Sequence, residues 1–256
     1  MSAARLRAVP VERVWGRHDL PAGFPTLGGD VPVGEIWFEP PPDAALLVKY
    51  LFTAERLSIQ VHPGDEAARA KGLARGKDEA WFILDAAPEA RIGLGLRQEM
   101  SREALRAAAL DGSIEALLDW RPVSAGELLY SPAGTIHAIG GGISLIEIQQ
   151  NLDLTYRLYD YGRPRELHLE EGVAVAIPGP WTPPSTPAGG PVLAAGNAFR
   201  VERWSKAGTL HGAAVVVPLA TRGMIDGEPL TNGAAWDVAG AAEISGDVDL
   251  LAAFPA

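Results

Sequence analysis

The sequence predicts a mostly β protein: a large β-sandwich or barrel with a short helical insertion, then a smaller β-domain beyond a proline-rich linker. Three observations predict it. Short apolar runs recur and end in turn residues, as in "ALLVKYLFT", "LSIQV", "AWFILDA", "ISLIEIQQ", "LTYRLYDY", "AAVVVPLAT" and "DLLAAF"; this spacing suits short strands. A single long stretch, "SREALRAAALDGSIEALLDW", carries a sustained helical period. Finally, "IPGPWTPPSTPAGGP" holds six prolines in fifteen residues, which neither a central strand nor a helix interior tolerates.

The elements follow in order. The N-terminal "MSAARLRAVPVERVWGRHDLP" lacks the apolar core of a secretory signal, and no run of about 18 apolar residues suggests a membrane span. A cytoplasmic location is expected. Apolar strands then lead to His62-Pro63, where "DEAARAKGLAR" predicts a short helix over Asp65 to Arg75. A strand resumes at Glu79. Within the insertion, about residues 99–120, Ser101 and Ser113 stand at N-cap positions and Asp111-Gly112 divides two helices. A DNA-reading helix pair is disfavoured, because these helices have no basic face. The boundaries expected are a first domain over 1–176, a linker over 177–191 and a smaller β-domain over 192–256.

Charge and composition narrow the function. With 32 acidic and 22 basic residues the formal charge is −10, so a nucleic-acid partner is not expected. There is no cysteine. Disulfides and thiolate metal sites are therefore excluded, and any metal must take nitrogen and oxygen ligands, which suits zinc, iron, manganese or nickel.

Strand alternation puts Ser58, Gln60 and His62 on one face and Ile59 and Val61 on the other. Glu79 likewise shares a face with Trp81 and Ile83. Downstream, Gly126, Pro132, Gly134 and His137 fit G-x5-P-x-G-x2-H, the second motif of the cupin superfamily. The first cupin motif is altered: Gln60 stands where a histidine is usual, and sixteen residues separate His62 from Glu79. Those departures, with "LSIQVHP", "GKDEAWFILDA", "SPAGTIHAIGGG", "LIEIQQNLDLTYRLYDYGR" and "RELHLEE", resemble the short bacterial form of type I phosphomannose isomerase. The resemblance covers about Val14 to Val175 and is weak beyond the linker.

The resemblance implies a cupin β-barrel or jelly roll, with the C-terminal part a degenerate cupin lacking metal. It implies one Zn2+ per chain on Gln60, His62, Glu79 and His137, a donor set the residue types also allow. The implied reaction interconverts mannose 6-phosphate and fructose 6-phosphate through an enediol. Arg157 is expected beside the developing negative charge. Lys77 and Glu147 are candidates for proton transfer, Glu147 alternatively orienting a ligand. Lys49, Ser58 and Arg163 are expected on the phosphate, with Lys49 and Ser58 on neighbouring strands of one hairpin. Arg17–Pro32 and the linker are candidate lids, and Gly140–Gly142 a tight hairpin beside the site. An iron-dependent cupin oxygenase and a non-catalytic sugar-phosphate-binding cupin are the alternatives; Gln60 and Lys49 speak against the first, and the retained ligands against the second.

Overall fold

The structure, a computed structural model, describes residues 2–185 and 189–256. It is mostly β, and all its strand pairs are antiparallel. The described residues form four sheets in layers. An inner six-stranded sheet runs in the order Arg7–Arg17, Val33–Glu39, Leu46–Thr53, Ile143–Gln150, Glu79–Ala86, Leu128–Ser131. A five-stranded sheet, Tyr156–Tyr159, Ile59–Val61, His137–Ile139, Arg91–Leu96, Leu118–Pro122, faces it. Trp81, Ile83, Leu129 and Leu145 of the first meet Ile92, Leu94 and Ile139 of the second in one apolar cluster.

Alternation along the strands builds the layers. In Leu46–Thr53, Val48, Tyr50 and Phe52 point away from the five-stranded sheet and join Ile36, Phe38 and Ile146. They pack against Val201, Val215, Val217 and Leu251 of an outer six-stranded sheet. Lys49 and Leu51 take the opposite face. The outer sheet packs its other side on a four-stranded sheet through Leu210, Val216, Ile225, Trp236 and Ile244. The N-terminal strand Ala3–Arg5 belongs to that outer sheet, paired with Trp236–Val238; chain from both ends therefore builds it.

The helical insertion forms where expected. Arg102–Asp111 starts at Ser101, whose hydroxyl accepts from the Ala104 amide, and ends at Gly112 with φ 81°. Ile114–Leu117 follows, without a side-chain bond from Ser113. Leu105, Ala108, Ala109 and Ile114 cover the back of the five-stranded sheet, against Ile59, Val61 and Leu158. They are a packing layer. The earlier helix is shorter than expected, Asp65–Ala70, because Gly72 (φ 78°) turns the chain back. Gly76 then passes so close to Gly64 that a Cβ would sit 2.5 Å from its carbonyl carbon.

Of the linker, residues 186–188 lie outside the described residues. Its start packs on the five-stranded sheet: the Leu96 and Met100 amides donate to Gly179 and Pro178 carbonyls. The Trp181 indole donates to the Tyr130 carbonyl at 3.0 Å. Gly140–Gly142 does not make the expected hairpin. Its flanking strands belong to different sheets, so the glycines carry the chain from one layer to the other. A Cβ on Gly140 would meet the Arg91 carbonyl oxygen at 2.4 Å. No described helix is long and apolar enough to cross a membrane.

Candidate metal centre and active site

Between the inner six-stranded and five-stranded sheets, alternation turns charged side chains inward. His62 and His137 come from the five-stranded side, and Glu79 comes from the facing strand. Their ligand atoms lie within 4.8 Å of one another. Register explains the meeting, because His137 pairs directly with Gln60. His62 follows at the end of that strand.

Both imidazoles are held in one tautomer. His62 Nδ1 lies 2.8 Å from the Leu154 carbonyl, and His137 Nδ1 lies 2.9 Å from that of Thr135. Each Nδ1–H donates outward, leaving the Nε2 lone pair facing the cluster, where Lys77 Nζ lies 3.4 Å from His62 Nε2. His62 Nε2 is 3.3 Å from Glu79 Oε1, and His137 Nε2 is 3.4 Å from Oε2. Glu79 is 1% exposed. Lys77 Nζ pairs with Oε1 as an ion pair at 2.6 Å.

A buried carboxylate paired with one ammonium and facing two imidazole nitrogens offers a divalent metal an anionic and two neutral donors at one point. The donor set fits a borderline divalent metal. Gln60 lies at the edge of the cluster: its amide nitrogen is 3.2 Å from His137 Nε2, and its oxygen accepts from Ser58 Oγ at 3.1 Å. Rotating the amide by half a turn aims the oxygen at the cluster and leaves the NH2 to donate to Ser58.

Electrostatics agree. Burial, with the Lys77 charge adding to it, lowers His62 to about 4, against the pull of Glu79. Burial lowers His137 as well. Burial would raise Glu79, but His62 and Lys77 outweigh it and hold the carboxyl well below its usual range. The neutral imidazoles and ionised carboxylate that a metal requires are therefore favoured near neutral pH.

The cluster lies beside a cavity of about 550 Å³, ample for a small sugar phosphate. Glu35, Lys49, Ser58, Gln60, Lys77, Glu147 and Arg157 line it. Glu147 accepts from the Trp81 indole at 3.2 Å and pairs with Lys49 at 3.3 Å. Burial and repulsion from Glu79 raise its carboxyl, while Glu79 is lowered. Two neighbouring carboxyls are thus pushed apart, a pattern of sites that divide acid and base roles. Lys77 is raised, the attraction of Glu79 and Glu147 outweighing burial.

Most expected residues are brought together, with two differences. Lys49 and Ser58 share the cavity but not a hairpin: the Lys49 strand pairs with Val33–Glu39 and Ile143–Gln150, and Ser58 precedes a strand of the opposite sheet. Arg163 is not in the cavity lining. The φ of 56° at Tyr161 turns the chain, and Arg163 pairs with Glu55 at 2.7 Å and Asp160 at 3.3 Å. Arg165 lines the cavity instead, as does Arg13, which the sequence reading missed. Its position two residues before the inward Trp15, on a strand of period two, is the signal that could have found it. Among the described residues, neither expected lid segment lines the cavity. His168 accepts from the Arg157 amide at 3.3 Å, supporting the arginine rather than binding metal.

Comparison with known proteins gives the same direction. The mannose-6-phosphate isomerase of Streptococcus mutans is 41% identical over 136 residues, 51% of this chain and 43% of that protein. Mannose-6-phosphate isomerase ManA of Bacillus subtilis is 42% identical over 137 residues, 51% of this chain and 43% of that protein. The crystal structure of the mannose 6-phosphate isomerase from Bacillus subtilis superposes with a TM-score of 0.82 at 26% identity, covering 99% of each chain. This chain is similar to the mannose-6-phosphate isomerases in sequence over about half its length and in fold throughout. Its matched stretch spans less than half the length of these curated relatives, while the likeness of fold to the solved isomerase covers both chains almost entirely. No family model matches.

Proposed function

We propose that this protein is a metal-dependent aldose–ketose isomerase interconverting mannose 6-phosphate and fructose 6-phosphate in the cytoplasm. The observation that carries the reading is the buried Glu79 carboxylate, paired with Lys77 and facing two imidazole Nε2 atoms, beside a cavity lined with cations. The names of its relatives support the substrate.

Gln60, His62, Glu79 and His137 would hold one metal ion; these donors suit zinc, iron, manganese or nickel, and the resemblance to the mannose-6-phosphate isomerases favours zinc. Bound there, it would supply Lewis-acid stabilisation of the sugar oxygens. The remaining chemistry falls to side chains. Isomerisation moves one proton between C1 and C2 and another between their oxygens, so two acid–base groups are required. Lys77 and Glu147 are the pair within the cavity. Trp81 and Lys49 fix the Glu147 carboxylate, so it meets substrate in one orientation. Arg157 pairs in register with Gln60, which sets a permanent positive charge beside the ligand strand, where an enediolate would develop.

The test is a coupled assay of mannose 6-phosphate isomerisation by purified protein, before and after chelation and with zinc restored. Turnover abolished by chelation and recovered with zinc is the expected result. A zinc-loaded protein without turnover on this substrate would overturn the reading.

A further inference from the structure

We propose that Arg13 and Arg165 form the phosphate-binding edge of the cavity, in place of the Arg163 position that resemblance suggests. The inference rests on the sugar-phosphate reading above and concerns the same cavity.

The groups first expected on the phosphate are already engaged. Lys49, 3% exposed, is paired with Glu147 at 3.3 Å and lies 4.2 Å over the Trp37 ring. Ser58 donates to Gln60. Arg163 spends its guanidinium on Glu55, Asp160 and the Arg56 carbonyl. Each is held by partners of its own, and Arg163 lies outside the cavity lining.

Arg13 and Arg165 reach the cavity from opposite layers, Arg13 from the first strand of the inner six-stranded sheet and Arg165 from the loop after Tyr156–Tyr159. Each is aimed by a buried carboxylate. Arg165 Nε and Nη2 both bond Asp160 at 2.6 Å, and Asp160 is 2% exposed. That fork fixes the plane of the guanidinium and leaves Nη1 unengaged. Arg13 Nη2 pairs with Glu35 at 2.6 Å, Nη1 donates to the Glu12 carbonyl, and Nε is left over. Arg157 stands with them in the lining, its Nε buried without a partner. The charges of Arg165 and Arg13 are felt there, since both add to burial in lowering the Arg157 guanidinium. Three guanidiniums share the lining of one cavity, and a phosphate dianion would accept the N–H groups that their carboxylate partners leave free. Of the acidic groups in the lining, Glu12 and Asp153 are exposed and solvated, while the buried Glu35 is neutralised by Arg13. With Arg157 beside the ligand strand, a sugar phosphate anchored at this edge would present its other end to Lys77, Glu147 and the metal ligands.

The experiment compares Arg13→Gln, Arg165→Gln and Arg163→Gln in zinc-loaded protein, measuring kcat and KM for mannose 6-phosphate, metal content, and calorimetric binding of inorganic phosphate. Arg13→Gln and Arg165→Gln should each raise KM and weaken phosphate binding by about tenfold or more, the scale of a lost charged hydrogen bond. Metal content should stay at the wild-type level in both. Arg163→Gln should leave both constants within twofold. Equal phosphate binding by all three variants, or a KM effect confined to Arg163→Gln, overturns the inference. If wild-type protein turns nothing over yet Arg165→Gln and Arg13→Gln still weaken phosphate binding, the isomerase reading fails and the anion site stands.

Discussion

The molecule contains two face-to-face sheet pairs with opposite interiors. Between the inner six-stranded and five-stranded sheets lie Lys49, His62, Lys77, Glu79, His137 and Glu147, each at most 5% exposed, beside an open cavity. Between the outer six-stranded and four-stranded sheets the cluster is apolar throughout: Leu210, Val216, Ile225, Trp236, Val238, Ile244 and Leu250. Each such side chain, fully buried, contributes about 1.5–3 kcal/mol. Buried charges at best offset their own desolvation unless every one is paired. One pair of layers therefore holds the site, and the other supplies packing that the site cannot. The inner six-stranded sheet links them, since its Val48, Tyr50 and Phe52 pack against the outer sheet while Lys49 faces the cavity.

Breaking each interior should give different failures. The largest effect is expected from Glu79→Ala in the hollow pair. It removes the carboxylate between two imidazoles and leaves Lys77 without its closest anion. Loss of a residue that only supports a metal ligand costs about 10–100-fold, so loss of this ligand should exceed that: metal content near zero and turnover down at least about 1,000-fold. A variant that retained stoichiometric metal would show that Glu79 is not a ligand. Next is Trp236→Ala in the filled pair, where the indole is 1% exposed and donates to Glu228. Loss of about 3–5 kcal/mol is expected, read as a lower urea midpoint, with KM of the folded fraction unchanged. A shifted KM would mean that the outer layers shape the cavity directly.

The same contrast explains what the sequence disclosed. Strands with one polar and one apolar face were legible, and with them Gln60, His62, Glu79 and His137 as inward groups. The Ser101 cap and the helix behind the five-stranded sheet were legible too, because capping and period are local. Sheet membership was not. Lys49 and Ser58 look like neighbours along the chain, yet the strand partners of Lys49 come from residues 33–39 and 143–150. Arg163 and Arg165 were indistinguishable for a related reason. Which of them faces the cavity depends on the turn at Tyr161 and on the competition of Asp160 and Glu55 for guanidiniums, which no short-range pattern encodes.

The smallest effects come from single carboxyls, and they sharpen the comparison through their sign. Glu35, in the hollow pair, would be raised by burial, but Lys49 and Arg13 outweigh that and hold it below its ordinary 4.5. A lowered folded-state pKa means stability present above about 4.5 and lost as pH falls through the folded value. Asp237, on the outer sheet, is raised above its ordinary 3.8 by burial. There the ionised form is the unfavourable one, so its cost is absent below 3.8 and grows as pH rises through the folded value. Urea midpoints of chelated protein across pH 3–7 should separate the two. The stability advantage of wild type over Glu35→Gln should shrink toward acid, whereas Asp237→Asn should gain on wild type toward neutral pH. Either slope is capped at about 1.4 kcal/mol per pH unit for one proton. Parallel curves for Glu35→Gln and wild type would mean that Arg13 and Lys49 do not hold that carboxylate, and the cations of the cavity would then be free for substrate to a greater extent than the ion pairs indicate.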